Sequence, residues 1–251
     1  VRSASLAATP GGTTAVATYS EGARLARETG RPLELAGNLA GLACVQARQG
    51  RFDDCAANVA AALEICEPRR IHLFRVWAMQ ARGDAALAAD DPETARARWE
   101  ELAGLLTQLG VRDPDVDPGP DLVEAYLRVG LAQRARPVAA AYLAAARLKG
   151  QPWALARAYR ALALLSGDAV MLEAFETALA WHARTLDAFE EARTRLAFGA
   201  RLRRARRRRD RRAGFGVVSA AVARWCAGGW LMGRPGGAGS RMLEGGVSLR
   251  R

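Results

Sequence analysis

From residue 13 to residue 209 the apolar positions recur at helical spacing. Leu35, Leu39, Leu42 and Val45 stand at i, i+4, i+7 and i+10, one stripe of a helix, and Val59, Leu63 and Cys66 continue it after a turn. The pattern predicts helices at about 13–29, 32–49, 53–66, 70–89, 92–109, 121–130, 134–149, 152–166, 168–184 and 187–209. Asp53, Asp54 and Glu93 fall in first turns, where carboxylates suit the helix dipole, and Pro92 suits the first helical position. Residues 113–120 read as a loop, because three prolines and a glycine are unsuited to a helix interior. No alternation of the strand type occurs. The expected fold class is all-α.

The turns repeat. Gly50 followed by Cys55 is matched forty residues on by Asp90 with Ala95, then by Gly130 with Ala135, and forty residues earlier by Pro10 with Ala15. Looser copies begin at Gly167 and near Arg206. This period resembles tetratricopeptide repeats, which implies a solenoid of helical hairpins. On that resemblance Leu39, Leu42 and Ala43 take the packing positions of a first helix, and Cys55, Val59 and Ala62 those of a second. Gly83, Ala95, Trp99 and Leu102 serve the next copy, Ala135 the third, and Gly199 a later one. Arg160 and Leu172 depart from it by standing where small residues are usual.

Charge changes the picture only at one end. The net charge of +11 is concentrated in residues 193–212, which hold eleven arginines and one acid, while the first 192 residues carry 21 basic against 24 acidic side chains. A basic face spread over the whole fold is therefore excluded. The domain organisation expected is a flexible 1–12, a repeat domain over 13–212 and a tail over 213–251. That tail holds ten of the 25 glycines, too many for a stable helix to bear the entropy cost, and is expected to be disordered. Its apolar stretch 215–232 is interrupted by Arg224, Gly228 and Gly229, against a membrane span. The N-terminal residues lack a signal-peptide core, so the cytoplasm is the expected location.

Four strings of the second half resemble one setting. They are Asp121-Leu122-Val123-Glu124-Ala125, Gly150-Gln151-Pro152-Trp153-Ala154-Leu155-Ala156, Phe189-Glu190-Glu191-Ala192-Arg193-Thr194-Arg195-Leu196 and Gly199-Ala200-Arg201-Leu202-Arg203-Arg204. Together they resemble the repeat region of large ATP-binding LuxR-type regulators of actinobacteria. The resemblance implies a sensor segment, a right-handed superhelix binding a protein or small effector in its concave groove. The family's phosphate loop and helix-turn-helix have no counterpart in this chain, and the repeat register fails at Arg211, as a reading-frame change near that point would produce.

Candidate chemistry is sparse. Cys44, Cys55, Cys66 and Cys226 have no CxxC spacing and read as small buried thiols. His72 and His182 have no second histidine within two turns, so no metal or cofactor is expected; His182, near a helix end, reads as partly exposed or bonded to a carbonyl. Glu100-Glu101 and Glu190-Glu191 point to different helix faces, and Ser166-Gly167-Asp168 reads as helix exit and cap. On these grounds enzyme activity is not expected. The alternative to an effector-binding module is a stand-alone adaptor. It would hold nucleic acid nonspecifically through the helix of residues 201–212, with Arg201, Arg203, Arg204, Arg206, Arg207, Arg208 and Arg209 contacting phosphates.

Overall fold

The computed structural model describes residues 12–209, with side chains over 15–205. All of these belong to the compact unit Val1–Arg211. The unit is all-α, and no strand occurs among the described residues. The helices are α1 Gly12–Glu28, α2 Pro32–Arg48, α3 Phe52–Arg69, α4 His72–Ala88, α5 Pro92–Gln108, α6 Gly119–Arg128, α7 Ala132–Lys149, α8 Pro152–Leu165, α9 Asp168–His182 and α10 Ala188–Arg209. Each packs on its neighbours in the chain; α2 also packs on α4, α6 on α8, and α8 on α10.

The regularity comes from the connections. Gly30, Gly50, Arg70, Asp90, Gly110, Gly130 and Gly150 all have positive φ, between 52° and 80°, and they recur every twenty residues. At six of them the following residue closes the helix end: the N–H groups of Arg31, Arg51, Ile71, Asp91, Val111 and Leu131 donate to carbonyls five residues back. This six-to-one bond satisfies a carbonyl that the helix itself leaves open. The turn signals forty residues apart are thus every second member of a twenty-residue series. The series stops after Gly150, where the helices shorten to 14 and 15 residues in α8 and α9.

Two boundaries depart from those expected. α6 begins at Gly119, not Asp121, because Pro120 lies in the first turn, where a missing N–H costs no helical bond. α3 runs to Arg69 through Pro68, three residues further than expected, and ends on Arg70 in the left-handed conformation. The core follows the small and large apolar positions. Leu39, Leu42, Ala43, Cys55, Val59, Ala62, Gly83, Ala95, Trp99, Leu102, Ala135 and Gly199 are all buried. Trp99 shows why one of them is glycine: a Cβ on Gly83 would lie 2.1 Å from its Nε1. Leu172, the large residue at a usually small position, is exposed.

No helix among the described residues is long and apolar enough to cross a membrane. The expectations for residues 1–11, Arg211, Cys226 and the 213–251 tail lie outside the described residues.

Candidate functional site: a buried charge cluster

Helices α2, α4, α6 and α8 each turn charged or polar side chains toward a common face. Gln80 and Asp84 are four residues apart on α4, Asp121 and Glu124 three apart on α6, and Arg157 and Arg160 three apart on α8, so each pair shares a helix face. Asp84 on α4 and Glu124 on α6 stand forty residues apart in the chain. Arg48 stands at the end of α2, 4.0 Å from Asp84. The first turns of α10 complete the cluster with Phe189, Glu190 and Arg193. Asp187 starts that helix by accepting from the Glu190 N–H at 3.1 Å, an N-cap bond.

Contacts between these elements are short. Arg157 Nη2 donates to Asp121 Oδ2 at 2.6 Å, and Arg160 Nη1 donates to Glu190 Oε2 at 2.6 Å. Arg193 Nη1 bridges Asp121 Oδ1 at 2.8 Å and Glu190 Oε1 at 3.0 Å, while its Nη2 reaches Glu124 Oε2 at 2.9 Å. Gln80 Nε2 donates to Asp121 Oδ2 at 3.3 Å. The Arg48 guanidinium lies 4.6 Å from the Phe189 ring centroid, so α10 reaches as far as α2. Trp153 and Tyr142 line the Arg157 side, with ring centroids 5.4 and 5.9 Å from its guanidinium carbon.

Burial makes these charges interdependent. It pushes the Asp121 carboxyl up, but Arg157 and Arg193 beside it more than offset this and hold it below the usual range. Glu190 is likewise opposed by burial and held well below its usual range by Arg160, Arg193 and Arg157. Burial also works against the charged form of Arg157 and Arg193, yet the surrounding carboxylates hold both guanidinium groups more firmly protonated than usual. Asp84 behaves differently: burial dominates, Arg48 compensates only in part, and its pKa rises to about 6. Charge pairing in a low-dielectric interior thus sets the ionisation state of the cluster.

A neutral network backs it. His182 is buried, not partly exposed as its place near a helix end suggests, and its partner is a hydroxyl, not a carbonyl: Nε2 lies 2.9 Å from Thr194 Oγ1. Thr194 gives its own proton to the Glu190 carbonyl at 3.0 Å, which makes His182 Nε2 the donor. Burial and then Arg160 lower the His182 pKa to about 4.

The residues singled out from sequence divide sharply. Those of the repeat pattern are buried and none of them supplies a charge to the cluster. Arg201 donates to the Ser166 carbonyl at 2.5 Å, while Arg203 and Arg204 are exposed. Arg206, Arg207, Arg208 and Arg209 belong to the end of α10, beyond the described side chains. Ser166 and Gly167 flank the α8–α9 junction, where Ser166 Oγ donates to the Leu162 carbonyl. Glu190 and Glu191 do face apart; Glu191 pairs with Arg195 at the surface. Burial pushes the Cys44 thiol up to about 12 and Cys55 up to about 11. Among the described residues no group of three or more His, Cys, Asp or Glu side chains is placed to hold a metal ion.

Sequence reasoning missed the cluster as a unit, although two signals pointed to it. Arg160 stands where a small residue is usual, and the strings around Asp121 and Glu190 contain residues that meet in space.

No family model and no curated protein matches the chain. Its fold is similar to that of a solved structure, BtubC (BKLC) from P. vanneervenii, at 17% identity and a TM-score of 0.57, covering 92% of this chain and 97% of that one. At that identity the likeness shows the fold alone. It corrects the exclusion of enzyme activity: a neighbour alike only in shape establishes neither an activity nor its lack. The structure also assembles its buried acids and bases from separate helices, where spacing along the chain is no guide to which side chains meet.

Proposed function

We propose that the chain is a tetratricopeptide-like solenoid whose α2, α4, α6 and α8 face binds a charged partner or effector. The observation that carries this reading is the convergence of Arg48, Asp84, Asp121, Glu124, Arg157 and Arg160 on that one face. A core has no need of such groups, since well-packed apolar residues of similar volume usually stabilise at least as well as buried ion pairs. What buried charges add is selectivity, because a wrong partner leaves them unpaired. Packing of alternate helices and the forty-residue register of the hairpins support the solenoid; the likeness to BtubC supports the helical architecture. In a LuxR-type regulator such a segment would act as the sensor, with the partner favouring one state of the assembly over another. Placement in the cytoplasm belongs to this reading.

A photoreactive side chain at Gln80, on the charged face, tests it against one at Ala97, exposed on α5. In cells of the source organism a discrete partner crosslinks from Gln80 and not from Ala97. Equal crosslinking from both positions, or none from Gln80, overturns the reading.

A second reading rests on the exposed Arg203 and Arg204 in the basic half of α10. Nonspecific nucleic-acid binding through that half would collapse between low and physiological salt, because it arises from counterion release. Binding that persists with sequence preference at physiological salt would reject it.

A further inference from the structure

The two halves of α10 are held by different forces. Its second half is anchored by apolar contact and one backbone carbonyl: Phe198 stacks on Phe175 with centroids 4.8 Å apart, Leu202 joins the same cluster on α8 and α9, and Arg201 bonds the Ser166 carbonyl. Its first half sits on the charged face through Phe189, Glu190 and Arg193, with bonds to residues 30 to 72 positions away. Only residues 183–187 join it to α9, and Leu186 among them is 91% exposed.

We infer that the first turns of α10 are an intramolecular latch on the partner site, and that the partner is a helix of the same chemistry. That helix presents an aromatic residue, a carboxylate beside it and a guanidinium one turn further on. This rests on the binding function proposed above. Charge order on the face fixes the direction of such a helix: its carboxylate meets Arg157 and Arg160, and its guanidinium meets Asp121 and Glu124. A competitor must bring both charges, since a buried ion left alone is costly. The latch also leaves room for improvement. Arg157 Nε and Arg160 Nη2 are buried without a hydrogen-bond partner, Arg157 Nε lying 3.8 Å from a Glu190 carboxylate oxygen and Arg160 Nη2 3.9 Å from one of Asp121. A helix whose carboxylate approaches them more closely gains bonds that α10 does not make.

The test uses the full chain and a fluorescent peptide spanning residues 187–204, read by anisotropy. In the double variant Glu190→Arg/Arg193→Glu the latch charges are reversed and the face itself is unchanged. This variant should bind the peptide roughly tenfold or more tighter than the wild type, whose own α10 competes at high effective concentration. A peptide carrying the same two reversals should not bind. Equal affinity of both chains for the native peptide, or equal binding of the two peptides, overturns the latch. Should the double variant fail to fold, excess native peptide added to the wild type is followed by amide exchange over residues 188–195. Faster exchange there as the peptide binds supports the latch; bound peptide with unchanged exchange, or no binding at saturating peptide, refutes it. A partner crosslinked at Gln80 while residues 188–195 stay protected would sink the latch and leave the binding function standing.

Discussion

Helices α2–α5 and helices α6–α10 solve the same packing problem with different materials. Between α2 and α5 the interior is apolar, with small residues, leucines, Val59, Val76, Met79 and Trp99, the ring filling the space that Gly83 leaves; the same core runs on through Leu122, Val123 and Tyr126 of α6. Of the seven buried polar or charged residues identified, six lie between Asp121 and Thr194; Gln46 is the exception. Apolar packing is non-directional and tolerates many arrangements of similar volume. A network such as Asp121, Arg157, Arg160, Glu190 and Arg193 is directional, and each charge must meet one of opposite sign. The difference teaches where specificity resides: the apolar interior is a scaffold, and on the proposed function the charged face, to which the first half contributes Arg48, Gln80 and Asp84, is where a partner would be told from a near miss.

The comparison is broken most severely at Trp99. Truncation of this fully buried ring, Trp99→Ala, should cost about 4 kcal/mol in urea unfolding, as large-to-small core changes do. A loss under about 1 kcal/mol would show that the first half is not a close-packed scaffold.

The polar half should respond to the same assay with a different signature. Glu190→Leu leaves Arg160 buried without its carboxylate and should cost about 3 kcal/mol, yet pairing it with Arg160→Met should restore much of that loss. Additive losses would mean that the two residues are not coupled. Beside Trp99→Ala no recovery is expected from removing a charge, because a cavity is relieved only by refilling its volume.

Acid separates the halves next. Folded His182 has its pKa lowered to about 4 from an ordinary 6.5, so the unfolded chain takes up a proton first as the pH falls. Stability is lost between these two values, on the order of 3 kcal/mol by the lower one. Asp121 and Glu190, held low, contribute fully above the ordinary carboxylate range and lose that contribution as the pH falls from there toward their depressed values. Asp84 acts in the opposite sense: raised to about 6 from 3.8, it protonates first in the folded chain and offsets part of the loss. In His182→Gln the histidine contribution to the pH slope of unfolding should vanish; an unchanged slope assigns acid sensitivity elsewhere.

The smallest effects lie in the turns that the halves share. Gly130, at φ +80°, has nothing within 4 Å of a Cβ, so Gly130→Ala should cost only the backbone strain, about 1 kcal/mol. Arg70→Gly, at φ 52°, relieves strain of the same kind and should change stability by less than about 1 kcal/mol, in the stabilising direction. Equal losses at both positions would contradict the role given to the left-handed turns.

The helices and their forty-residue spacing were legible because they depend on residues near one another in the chain. Leu35, Leu39, Leu42 and Val45 mark a stripe wherever the helix goes, and Gly50 or Gly130 ends a helix by its own backbone freedom. The twenty-residue series was harder to see, since Arg70 and Asp90 occupy left-handed positions without being glycine. The site was scarcely legible. Glu190 beside Glu191 shows only two carboxylates on different helix faces, and Arg193 opens the arginine-rich run. Local chemistry therefore wrote the periodic scaffold into the order of residues. The match of Arg160 to Glu190, and of Arg193 to Asp121 and Glu124, depended on packing. A charge has no periodicity to announce its partner, and its cost or benefit is decided by how far water is excluded when distant helices close around it.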